Sequence, residues 1–85
     1  MRHRAVEDFW ELYDALPKKI QRLADKNHEL LKANPSHPSL DLKHVKGQIW
    51  SVRIGLHYRA LAYPEERGLV WFWVGSHAKY DRLIS

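Results

Sequence analysis

Two arginines and one histidine are spaced so that short strands would gather them on one surface. Arg53 falls in the segment Ile49–Ile54, Arg59 in Tyr58–Tyr63, and His77 at the end of Leu69–His77. All three segments are rich in β-branched and aromatic residues, and Gly47, Gly55, Pro64, Gly68 and Gly75 punctuate them. Side chains alternate faces along a strand. On the first strand Trp50, Val52 and Ile54 share one face, and Ser51 and Arg53 the other. On the second, Tyr58, Ala60 and Ala62 oppose Arg59, Leu61 and Tyr63. The third sets Val70, Phe72 and Val74 against Trp71, Trp73 and His77. If helices cover the aliphatic face, the opposite face gathers Arg53, Arg59 and His77. Two permanent cations beside one imidazole form a phosphate-handling set, because guanidinium pairs two phosphate oxygens and stays protonated.

The rest of the chain must supply those helices. Val6, Phe9, Trp10 and Tyr13 recur at helical spacing, continued by Leu12 and Leu16, and Pro17 ends the run. A second amphipathic stripe follows in Ile20, Leu23, Ala24, Leu30 and Leu31, with Asn27 inside it as a candidate buried amide. The two form an αα-hairpin. The breaker cluster Asn34–Ser39 leads to Leu40–Gly47, read as a loop or short extended segment carrying Lys43, His44 and Lys46 outward. Tyr80–Ile84 closes the chain as a tail or helical turn. The expected fold is a single α+β domain, residues 1–85. Its N-terminal helical hairpin packs on one face of a small antiparallel sheet of three main strands.

Composition narrows the chemistry. Fourteen Lys and Arg against ten Asp and Glu give a net charge of +4, which favours an anionic partner. There is no cysteine, so disulfide, thiolate and Cys-zinc chemistry are excluded. The six histidines show no H-x-x-x-H or H-x-H spacing, and neither a metal nor another cofactor is expected. Carboxylates fall mostly in the helices and the hairpin tip, away from the basic face, which argues against a paired-carboxylate hydrolase. The longest apolar run is far short of the roughly 20 residues of a membrane helix. No apolar signal core follows Met1–Arg4. A soluble, cytoplasmic protein is expected.

The pattern Trp50-x-Val52-Arg53-x-Gly55-x-x-Tyr58-Arg59, followed by Trp73-Val74-Gly75-x-His77-x-x-Tyr80, resembles the RelE/ParE superfamily of bacterial toxins. The likeness runs from about Phe9 to Ile84. It implies the toxin of a type II toxin–antitoxin module, held inactive by a cognate antitoxin. One branch of the superfamily cleaves mRNA on the ribosome without a metal; another poisons DNA gyrase. By position, Arg53 and Arg59 match strand residues of the RelE-like active site. His77 matches the arginine or histidine at the end of the last strand, and Tyr80 the tyrosine of the C-terminal tail. Two departures stand out. Ser51 occupies a position where some members carry lysine, a gap that Lys43 or Lys46 could fill. Only four residues precede Ala5, so the family's first strand is expected to be absent or vestigial, leaving a sheet edge open to a partner strand or a second copy.

On the RelE-like reading, a ribose 2′-OH attacks its own phosphate. Arg53 and Arg59 hold the phosphoryl oxygens, His77 transfers protons and Tyr80 assists it. Lys43 and Lys46 add backbone affinity, and Trp71 and Trp73 could stack bases. The alternatives are a gyrase-directed toxin without chemistry of its own, or a module that only binds antitoxin or nucleic acid. Each residue also has a plainer role: surface ion pairs for the arginines, a strand cap for His77, and packing for the tryptophans.

Overall fold

The computed structural model describes residues 2–85, and among them five strands and three helices. Strand β1 (Arg2–Ala5) leads into helix α1 (Glu7–Asp14), and Pro17 separates α1 from helix α2 (Lys18–Ala33). A 3₁₀ turn, Pro38–Leu40, precedes β2 (Lys43–Lys46), β3 (Ile49–Ile54), β4 (Tyr58–Glu65) and β5 (Gly68–Ser76). Helix α3 (His77–Ile84) ends the chain. The sheet order is β1-β5-β4-β3-β2, with β1 parallel to β5 and every other pair antiparallel.

The three expected strands are present as β3, β4 and β5, but two further strands make the sheet mixed. The expected loss of the first strand is overturned, because Arg2–Ala5 pairs with Gly68–Trp71. Four residues suffice, and Gly68 is the reason they fit. A Cβ at Gly68 would collide with the backbone carbonyl of Arg2. Strand β1 therefore covers β5 and is itself the sheet edge on that side. Lys43–Lys46, expected as a loop or short extended segment, is the opposite edge strand. Its exposed lysines suit an edge that resists pairing with other chains.

The helices also depart from a one-face arrangement. The hairpin covers one face, here the inner one: Leu16 and Leu31 join Val52, Ile54, Ala60, Ala62, Leu69, Trp71 and Val74 in the main core. Asn27 lies beneath it and donates from Nδ2 to the Arg53 carbonyl at 3.0 Å, as its place in the stripe suggests. Helix α3 lies against β4 and β5, and its Tyr80 covers Arg59, which alternation turns to the outer face. Strand faces follow the expected alternation in β3 and β4 but not throughout β5. A bulge sets Leu61 and Ala62 opposite Trp73 and Trp71, leaving Phe72 as the extra residue. Leu69 and Trp71 therefore turn inward, and the two tryptophans part company.

Candidate functional site

The four residues expected to carry chemistry converge at one end of the outer face. Arg53 stands opposite Arg59 across β3 and β4, and Arg59 stands opposite Gly75 across β4 and β5. Gly75 leaves room for the Trp73 indole, since a Cβ there would come within 2.6 Å of its Cζ2 atom. Two residues later α3 begins. Ser76 caps it, accepting a hydrogen bond from the Lys79 amide at 3.3 Å, while the His77 amide donates to the His57 carbonyl at 2.7 Å. That fixes the start of α3 beside the β3–β4 turn. One turn on, the buried Tyr80 ring lies 5.1 Å from the Arg59 guanidinium carbon. The His77 ring meets Tyr80 edge-on at 5.3 Å, and its Nδ1 lies 3.1 Å from Asp81 Oδ2.

Burial separates the members of this row. Arg59 is only 2% exposed and is held at three points. Its Nε donates to Ser51 Oγ at 2.5 Å, Nη2 to the Asp41 carbonyl at 2.9 Å, and Nη1 to Asp41 Oδ2 at 3.1 Å. Ser51 thus has its own purpose: a hydroxyl there receives the guanidinium that a lysine would repel. Arg53 is half-buried and reaches the loop carbonyls of Ser39 (3.3 Å) and Pro38 (3.4 Å). His77 remains accessible, with 44% of its side chain exposed.

Asp41 is the residue that sequence reasoning missed. The expectation that carboxylates lie away from the basic face is corrected at two places, Asp41 beside Arg59 and Asp81 beside His77. Asp41 follows the 3₁₀ turn with φ +44°, a left-handed conformation that aspartate tolerates better than most residues. Leu40 before it is fully buried and pins the backbone. Burial pushes the Asp41 carboxyl upward, but the Arg59 hydrogen bond and the charges of Lys43 and Arg59 outweigh it and hold the group below the ordinary aspartate value. The available signal was the alternation Leu40-Asp41-Leu42 just before a basic strand.

The remaining candidates divide. Lys43 lies opposite Ser51 in the β2–β3 register and reaches Asp41 Oδ2 at 3.4 Å. Lys46 is exposed past the β2 bulge. Trp73 is half-buried on the outer face, whereas Trp71 sits in the inner core, 6% exposed, with Nε1 donating to His3 Nδ1 at 3.1 Å. Trp71 therefore packs rather than presenting a face to a base. Among the described residues no group of three or more metal-ligating side chains occurs, and no helix is long and apolar enough to cross a membrane.

A helical hairpin thus packs on one face of the sheet, and a C-terminal helix covers the strand arginine on the other. The model of the ParE-like toxin domain matches residues 18–82. The chain belongs to that family, within the RelE/ParE toxin superfamily. No curated protein matches the sequence. Among solved structures, the RelB–RelE antitoxin–toxin complex of Methanococcus jannaschii aligns with TM-score 0.74 at 16% identity, covering 96% of this chain and 99% of that one. The archaeal RelE–RelB complex from Pyrococcus horikoshii OT3 gives TM-score 0.71 at 15% identity, with 92% and 96% covered. The YoeB/ParE toxin from Agrobacterium tumefaciens gives 0.70 at 18% identity, with 91% and 99% covered. At these identities the structures speak to the fold.

Proposed function

We propose that this chain is the toxin of a toxin–antitoxin pair in the cytoplasm, and that it cleaves mRNA on the ribosome without a metal. One observation carries this reading: Arg53, Arg59, Tyr80 and His77, up to 27 residues apart in sequence, form one contiguous row. Exposure suggests their roles. His77 is the accessible titrating group and shuttles the proton as the 2′-OH attacks phosphorus. The bond from phosphorus to the 5′-oxygen breaks, leaving a 2′,3′-cyclic phosphate and a 5′-hydroxyl. Arg53 and Lys43 meet the phosphate from the solvent side, Lys46 adds affinity for the backbone, and Trp73 offers the edge of a stacking surface. Tyr80 lies beneath as the floor against which Arg59 and His77 are oriented. A cognate antitoxin is the natural protein partner, since two of the structural relatives are toxin–antitoxin complexes.

The test is primer extension on a reporter mRNA translated in a reconstituted system. Cuts within the A-site codon that require ribosomes and disappear in His77→Ala support the nuclease reading. Intact message would move the assignment to inhibition of DNA gyrase. That second reading is favoured by one observation, the commitment of Arg59 to Ser51 and Asp41 rather than to solvent. A DNA supercoiling assay decides it.

A further inference from the structure

The Asp41 carboxylate bridges two cations, Arg59 and Lys43. We propose that Arg59 Nη1 and Lys43 Nζ form a phosphodiester-binding pair whose resident anion is this carboxylate. RNA engages the pair only when the Asp41 side chain swings away. The inference rests on the RNA-directed reading above and adds a built-in competitor to it.

The geometry separates what is fixed from what can exchange. Two of the three anchors on Arg59, Ser51 Oγ at Nε and the Asp41 carbonyl at Nη2, do not involve the carboxylate. Fully buried Leu40 holds the loop backbone, so the carbonyl anchor stays when the side chain rotates. The third anchor is different in kind. The Asp41 side chain is 41% exposed while that of Arg59 is 3% exposed, so the carboxylate faces solvent and the guanidinium does not. The same Oδ2 atom bridges Arg59 Nη1 at 3.1 Å and Lys43 Nζ at 3.4 Å. One oxygen shared by two cations is the arrangement a phosphate oxygen adopts between arginine and lysine. A phosphodiester carries the same single negative charge, so exchange leaves the charge balance of the site unchanged. Rotation of one short side chain is all the motion required.

A tethered competitor lowers the apparent affinity by the fraction of molecules in which it has moved aside. Asp41→Asn removes the competing charge but keeps an acceptor, and asparagine suits the left-handed backbone at this position. The probe is a fluorescein-labelled tetranucleotide with 2′-O-methyl riboses, which binds but offers no nucleophile. Fluorescence anisotropy at low salt should show Asp41→Asn tightening Kd by about five- to tenfold. Glu29→Gln, which removes a carboxylate paired with Lys32 on α2, controls for net charge and should change Kd less than twofold. Adding Lys43→Ala to Asp41→Asn should cancel most of the gain. Asp41→Gly, also compatible with φ +44°, should reproduce it if the asparagine variant is poorly folded.

A Kd for Asp41→Asn within twofold of the parent, or a gain matched by Glu29→Gln, would overturn the proposal. So would a gain that survives Lys43→Ala. The readout is binding, so it is independent of cleavage. Tighter binding in Asp41→Asn with no mRNA cuts by the parent protein retains the phosphate pair and removes the nuclease reading. Cuts without the affinity gain do the reverse.

Discussion

The two faces of the sheet bury themselves by opposite means. On the inner face the hairpin brings aliphatic and aromatic side chains onto Val52, Ile54, Ala60 and Trp71, and the fit is loose. Helix α1 contributes no fully buried residue, Trp10 stays half exposed, and a pocket of about 130 Å³, partly open to solvent, remains among Phe9, Ala24, Leu31, Val52 and Trp71. On the outer face a charged side chain is buried almost completely, and every buried polar side-chain atom among the described residues has a partner. Apolar burial is non-directional and tolerates slack. A buried guanidinium is not tolerant, since each unsatisfied donor costs about 1–3 kcal/mol. The end of the molecule read as functional is therefore also its most exactingly built.

The largest expected effect tests that contrast directly. Arg59→Lys keeps the charge but replaces a three-point fork with one nitrogen, leaving Ser51 Oγ and one Asp41 contact unmatched. A loss of about 3 kcal/mol in urea unfolding is expected, allowing for the half-exposed Asp41. Leu31→Met, a volume-conserving change at an equally buried inner position, should cost less than about 1.5 kcal/mol. Equal losses would erase the distinction between the faces. The same reasoning makes Arg59→Ala a folding variant first, so His77→Ala is the cleaner probe of chemistry.

What was legible in the sequence follows the same division. The hairpin, strands β3 and β4 and the shared face of Arg53, Arg59 and His77 could be read because periodicity reports which face a residue occupies, whereas Tyr80 entered only through the family resemblance. That Asn27 falls within the apolar stripe could be read for the same reason, but its partner, the Arg53 carbonyl, could not. Strand β1 could not. Arg2-His3-Arg4-Ala5 has no apolar alternation, and what stabilises it is pairing with β5, a contact across more than 60 residues. The β5 bulge was invisible too, because an extra residue reverses faces without altering composition. Asp41 was hidden because a carboxylate among leucines shows its purpose only when Arg59 is placed beside it. Gly68→Ala examines the β1 finding. Its Cβ would meet Arg2 backbone, which has no flexible tip to yield, and a loss of about 2–3 kcal/mol is expected. Faster amide exchange in residues 2–5 should accompany it; unchanged exchange there would contradict the pairing.

Acid provides a gentler perturbation of the outer face. The folded-state pKa of Asp41 lies below its unfolded value of 3.8, so its contribution to stability is complete above that value. It is lost as pH falls through the folded value. Because the side chain is partly solvated, the contribution should be no more than about 1 kcal/mol. Denaturation midpoints measured from pH 5 to pH 2 should fall less steeply in Asp41→Asn than in the parent. Identical slopes would mean that the carboxylate adds nothing to holding Arg59, and the outer face would then rest on Ser51 and the loop carbonyl alone.

The smallest effect belongs to the inner face, and its sign is reversed. Ala24 lines the partly open pocket between the hairpin and the sheet, on a helix where leucine is nearly as well tolerated as alanine. Ala24→Leu adds three carbons to a space that can receive most of them, and cavity filling of this kind stabilises by about 0.5–1 kcal/mol. The gain should appear as a higher urea midpoint with an unchanged m-value, since the surface exposed on unfolding is nearly the same. A loss would show that the helices already close on the sheet, with overpacking outweighing burial. The inner face would then be as exacting as the outer one. A gain on the inner face beside the loss at Arg59→Lys would establish that slack and constraint are divided between the two sides of one sheet.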